Sequence, residues 1–257
     1  MIDTNVDLFR WPFRRLEGDA PADLVARLRK KGVTQAWAGS FEGLLHRDVA
    51  GVNARLAAAC REYGPNFLVP FGAINPKQPD WQEDLRRCQE VHRMPGIRLH
   101  PDYHGYRLDD PAAAELFSLA ASRKLLVQIA FGMEDPRTQF PLMKVSPVDL
   151  RLLPDALKNT PNLRVETLNL GHWGGPLAGN LSEMGKLENV YFDIAMTEKV
   201  GGVARLIADT SPSRVVFGSH YPFLYFESAF LKVQEAGLTA DQTQSVLEGN
   251  ARALLKG

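Results

Sequence analysis

Eight times along this chain a short apolar run ends on a polar residue and gives way to a helix-like stretch, and no other feature restricts the fold as much. The runs predict strands over Met1–Val6, Val33–Ala38, Phe67–Ile74, Gly96–His100, Leu125–Ala130, Leu163–Asn169, Val190–Ile194 and Arg214–Ser219. Parallel neighbours need a crossover between them, and the intervening segments, rich in Ala, Leu, Arg and Glu, supply one each time. Eight such units close into a ring. The expected fold is therefore α/β, a single-domain (β/α)8 TIM barrel over residues 1–257. Chemistry in such a barrel sits where the strands end, so the residues to read are Asn5 and Asp7, Asn75, His100, Gln128, Asn169 with His172, Asp193 and His220.

Alternation decides which of these point inward. In Gly96–His100, Ile97 and Leu99 share the face that packs on the helices, which turns Arg98 and His100 to the barrel axis. Val127 and Ile129 likewise flank an inward Gln128, Tyr191 shares its parity with Asp193, and Val216, Gly218 and His220 line up. On the sixth strand Glu166 and Asn169 have opposite parities, so only one can face inward without a bulge. The longest departures from the rhythm, Arg10 to Ala20 and Phe131 to Ser146, both follow strand ends and should overhang the mouth.

Composition narrows the function by exclusion. Thirty basic residues balance thirty acidic ones, so no global field favours nucleic acid or an anionic membrane, and a small-molecule substrate is the expected partner. No apolar run reaches the length of a membrane helix, and the chain starts directly in a strand. It is read as soluble and cytoplasmic, with homo-oligomerisation left open. Cys60 and Cys88 fall in helix-like segments and read as buried small side chains. A nucleophile elbow and a phosphate-binding glycine loop are both missing, and no lysine stands at a strand exit for Schiff-base chemistry. A glycosidase pair from Asp7, Glu134 or Asp193 is the weaker carboxylate alternative.

Five short segments in order along the chain carry a resemblance. Ile2-Asp3-Thr4-Asn5-Val6-Asp7, Gly96-Ile97-Arg98-Leu99-His100-Pro101, His172-Trp173-Gly174-Gly175, Phe217-Gly218-Ser219-His220-Tyr221-Pro222 and Glu248-Gly249-Asn250-Ala251-Arg252 resemble the corresponding motifs of the amidohydrolase-related (family 2) branch of the amidohydrolase superfamily. The resemblance implies a barrel hydrolase, or a related lyase or decarboxylase, that acts on a small carboxylate-bearing molecule. It also implies a divalent metal, held by two opening histidines, a fifth-strand histidine and an eighth-strand aspartate. Here the matching positions carry Asn5, Asp7, Gln128 and His220. Amides offer a neutral carbonyl oxygen where imidazole offers a nitrogen lone pair, so the usual set is broken.

Three readings stay open. Asp7, His100, His172 and His220 form a rearranged site for one divalent metal, zinc foremost. Alternatively catalysis is metal-free, with His220 as general base, His172 and His100 as proton donors, Asp7 as imidazole orienter, and Arg98 and Arg10 clamping a substrate carboxylate. In the third reading the barrel has lost its chemistry and persists as a small-molecule-binding or scaffold protein. Asn5, Gln128, Asn169 and Asp193 are further candidate substrate contacts, and so are His104 and Tyr106 in the segment after the fourth strand, where rings and imidazoles suit an aromatic or sugar-like ligand. Glu134 on the long fifth loop is a candidate acid or lid contact.

Overall fold

The computed structural model describes residues 1–171 and 183–256. Its parallel sheet runs β1 (Ile2–Leu8), β2 (Gln35–Ser40), β3 (Leu68–Ala73), β4 (Gly96–Leu99), β5 (Leu126–Ala130), β6 (Val165–Leu168), β7 (Val190–Asp193) and β8 (Val215–Val216), each bonded to the next in sequence order. Beyond β8 the chain returns to β1. Thr4 N donates to Phe217 O (2.9 Å), His220 N to Asn5 O (2.8 Å) and Asp7 N to Tyr221 O (3.0 Å), which closes the ring. The expected barrel is the observed one, with strand boundaries shifted by a few residues.

Helices cover the outside because their apolar faces match the outward strand residues. Helix Pro21–Lys30 opens on proline, whose missing N–H costs nothing at a first turn, and buries Leu24, Val25 and Leu28. Helix Val49–Tyr63 is capped by Asp48, which accepts from Gly51 N. Inside that helix Asn53 bonds both N and O of Ala73, pinning the helix to the end of β3. Cys60 and Cys88 are free and buried, and burial pushes both thiols up to about 12, so they act as packing groups. None of the described helices is long and apolar enough to cross a membrane.

The barrel interior has two storeys. Ile2, Trp37, Phe71, Leu126 and Val216 fill the N-terminal end, and Ala251 and Leu254 of helix Asn250–Lys256 close it from below. One layer nearer the strand exits come Arg98, Gln128, Glu166 and Asp193, all buried. Above them the two long loops meet as expected. Trp11 from the first and Met133 from the second join Phe41, Leu44, Ala130 and Leu168 in one apolar cluster, and Phe13 stacks on Phe140 at 5.5 Å to tie loop to loop.

Candidate functional site

A bulge in β1 sets the site up. The pairing with β2 slips between Asp3 and Val6, so one extra residue is inserted there and the polar side chains after it turn inward. Asp7 then meets Arg98: Nη1 donates to Asp7 Oδ1 at 2.8 Å, with both side chains about 1% exposed. The other donors of Arg98 reach Gln128 Oε1 and the carbonyls of Thr4, Val6 and Trp37. A guanidinium has five N–H groups, and here all have acceptors. Arg98, expected from parity to face the barrel axis and proposed to clamp a substrate carboxylate, does face inward, and its donors are engaged by the barrel's own oxygens.

Room for this pair comes from glycine. A Cβ at Gly39 would lie 2.6 Å from Arg98 Nη1 and 2.7 Å from Asp7 Oδ1, and one at Gly218 would lie 2.8 Å from Asp193 Oδ2. Gly39 was not singled out from the sequence; the available signal was a glycine at inward parity on a strand exit.

The amides of Asn5 and Gln128 are also committed. Asn5 Nδ2 donates to Asn169 Oδ1 (2.8 Å) and Asp193 Oδ2 (2.7 Å), while Gln128 Nε2 donates to Thr4 O and Glu166 Oε2, both at 2.8 Å. Glu166 and Asn169 thus both face the interior, against the expectation that one must turn away. Asn169 lies just past β6 with φ of 59°, and this left-handed residue resets the alternation without a bulge. Burial pushes the carboxyl of Glu166 up to about 8 and that of Asp193 to about 6, although hydrogen bonds from Gln128 and Asn5 respectively pull the other way.

His220 stands over Asp7. Its Nε2 bonds the Met133 carbonyl at 2.9 Å, and since a carbonyl only accepts, that nitrogen carries the proton. Nδ1 faces Asp7 Oδ2 at 3.6 Å, too far for a hydrogen bond, and neither atom has a partner among the described residues. Burial alone would raise the carboxyl pKa of Asp7, but Arg98 and then His220 outweigh it and hold it near 2, so Asp7 is a fixed anion. The imidazole is fully buried, stacked on Phe223 at 5.0 Å and edge-on to Phe41 at 6.5 Å. Trp11, 2% exposed, closes over this layer with its ring against Phe13, Phe41, Tyr103 and Phe223.

The remaining candidates separate. His100 is buried beside the pair, and burial, reinforced by His104, pushes it down to about 3, so it is a neutral imidazole; neither ring nitrogen has a partner among the described residues. His104 donates from Nε2 to Gly43 O at 2.9 Å, and Tyr106 is buried with its hydroxyl likewise without a partner. Arg10 is exposed and lines an outer groove with Phe41, Glu42 and His46, away from Asp7. Glu134 is buried in the fifth loop, its pKa raised by burial against the pull of Arg14. His172 lies outside the described residues.

Among the described residues no group of three or more His, Cys, Asp or Glu side chains is arranged to hold a metal ion. Several donors at these positions are engaged within the protein. Asp7 already shares one oxygen with a guanidinium, His220 spends Nε2 on a carbonyl, and Asn5 and Gln128 turn their N–H groups, which repel a cation, towards the carboxylates. Of the set Asp7, His100, His172 and His220, the Asp7 Oδ2, His220 Nδ1 and both His100 ring nitrogens are without partners among the described residues, and His172 lies outside them.

The amidohydrolase family model matches residues 10–257. No curated protein sequence matches the chain significantly. Among solved structures, 2,6-dihydroxybenzoate decarboxylase from Rhizobium superposes with a TM-score of 0.73 at 16% identity, covering 99% of each chain. The 5-carboxyvanillate decarboxylase of Novosphingobium aromaticivorans, complexed with manganese and 4-hydroxy-3-methoxy-5-nitrobenzoic acid, gives 0.75 at 15% identity over 100% of this chain and 96% of its own. Dihydroxybenzoic acid decarboxylase from Polaromonas, with manganese and the inhibitor 2-nitroresorcinol, gives 0.72 at 14% identity over 99% and 97%. At these identities the likeness is one of fold.

Proposed function

The chain belongs to the amidohydrolase family, and from that membership we propose that it is a metal-independent decarboxylase of a small aromatic carboxylate, with His220 and Asp7 carrying the proton. The observation behind the proposal is the facing pair of buried atoms, His220 Nδ1 and Asp7 Oδ2, beneath a ceiling of aromatic rings. Asp7 is held ionised by Arg98 and so stabilises an imidazolium opposite it. The rings of Trp11, Phe41, Tyr103 and Phe223 make the surroundings of the pair aromatic and weakly polar, which suits an aromatic acid. Solved relatives of this fold bind carboxylated or nitrated phenols, which supports the substrate class.

The chemistry asked of these groups is small. Protonated His220 gives its Nδ1 proton to the ring carbon that bears the carboxylate. The bond from that carbon to the carboxylate breaks, its electron pair restores the aromatic ring, and carbon dioxide leaves. His220 regains a proton from water. Hydrolysis would require an activated water as well as a proton carrier, and at the positions the family motif uses for a water-activating metal this chain carries Asn5, Asp7, Gln128 and His220.

The test is turnover of 2,6-dihydroxybenzoate and 5-carboxyvanillate by metal-stripped protein, with product and metal content both measured. Turnover is expected without stoichiometric metal, and His220→Asn should lower kcat by about 10²–10⁴-fold. Asparagine tolerates the left-handed backbone of His220 (φ 54°), so the variant should fold. Activity that tracks bound metal, or survives the substitution, sinks the proposal. Tight binding of these acids with no product would favour the inactive binding barrel instead.

A further inference from the structure

With Arg98 spent on the barrel, the positive charge that meets an acidic ligand has to come from the rim. We infer that Arg14 is that group, and that the groove above β7 and the chain following β8 is a capture site for the carboxylate of a small aromatic acid. The inference rests on the reading above for its ligand class, and adds the place and the residue.

Four observations converge on Arg14. Its guanidinium lies over the Phe223 ring, 4.8 Å from the centroid, and Phe223 in turn stacks on His220 at 5.0 Å, so Arg14 is one ring removed from the proton carrier. It borders a groove of about 610 Å³, large enough for a substituted benzoate, together with Thr138, Thr197, Phe223, Ser228 and Lys232. Among the described residues Arg14 forms no ion pair, and it is exposed. Its acidic neighbour Glu134 is buried and makes no ion pair with it among the described residues.

Of the other charges of the groove, Lys199 is a second exposed cation on its wall, but unlike Arg14 it lies on no aromatic ring among the described residues. Lys232 donates to the carbonyls of Ala195 (2.6 Å) and Ile194 (3.4 Å), and its charge faces Asp193, Glu198 and Glu235. Asp135 is held by Arg137. A planar guanidinium pre-oriented on an aromatic face presents its remaining edge to a carboxylate, and a ring carried by that carboxylate meets the same apolar surface.

The experiment is equilibrium titration of benzoate and of 2,6-dihydroxybenzoate into the whole protein, by calorimetry and by quenching of tryptophan emission, since Trp11 touches Phe223 edge-on at 4.9 Å. Arg14→Gln should raise Kd about tenfold or more, and Arg14→Lys should recover part of the loss. Arg151→Gln, which removes an equal charge from the exposed pair with Asp149, should leave Kd unchanged. If turnover is found, Arg14→Gln should raise KM and leave kcat within about twofold. Unchanged affinity in Arg14→Gln, or absence of binding by the unaltered protein, overturns the inference. Because binding is read without turnover, a failed decarboxylase assay leaves this test intact.

Discussion

Ile2, Trp37, Phe71, Leu126 and Val216 fill one end of the barrel with hydrocarbon, while nearer the strand exits Asp7, Arg98, Gln128, Glu166 and Asp193 fill the other with charge and amide. Hydrocarbon packing is non-directional, so loss of one side chain leaves a cavity whose cost depends on how far the neighbours relax. The polar storey has no such latitude. Each of its members satisfies another, and removing one strands a buried partner. A network of this kind contributes little net stability and fixes geometry closely, which fits a site that must hold Asp7 and His220 3.6 Å apart.

The contrast can be broken first at Arg98. Arg98→Met leaves the Asp7 anion buried without its cation and should cost about 3–5 kcal/mol in urea-induced unfolding. Combining it with Asp7→Leu should restore most of the loss, since a pair replaced by apolar groups is often neutral. If the double variant is as unstable as the single, the network is a stabilising element in its own right. The lower storey should respond more simply: Leu126→Ala should cost about 2–4 kcal/mol by the same measurement, with no second substitution in the polar storey able to rescue it.

A gentler probe is pH. Burial raises Glu166 to about 8 and Asp3 to about 7 in the folded chain, whereas both ionise near pH 4 when unfolded. Between those limits the unfolded state binds fewer protons, so stability falls as pH rises and levels off above about 8. Depressed His100 acts oppositely, but only below about pH 6.5, where the unfolded imidazole gains a proton. Melting temperatures should therefore decline from pH 6.5 to 8.5, and Glu166→Gln, which keeps an oxygen for Gln128, should flatten the decline. Parallel curves for the two proteins would mean that Glu166 is already ionised at neutral pH.

Much of this was legible before any coordinates. The strand rhythm located all eight strands, and the parity of Ile97 and Leu99 turned Arg98 inward correctly. The long loops after β1 and β5 were expected over the mouth and are found there. The site was legible as a list of residues and less so as a set of partners. Arg98 read as a substrate clamp because sequence shows a cation at a strand exit and cannot show that Thr4, Val6 and Trp37 aim carbonyls at it. Asn169 read as an alternative to Glu166 because alternation assumes extended backbone, and a single left-handed residue voids that assumption.

Local regularity is written in the order of side chains, so the sequence by itself determined the eight-unit barrel, its inward faces, the family, and the presence of Asn5, Asp7, Gln128 and His220 at its strand exits. Which of those polar groups pair with one another depends on contacts between residues more than 80 positions apart, as with Asp7 and Arg98 or Asp7 and His220. Those pairings were decided by the tertiary structure alone, because hydrogen bonds and charges act through distances of a few ångströms in space, and the chain order does not encode them.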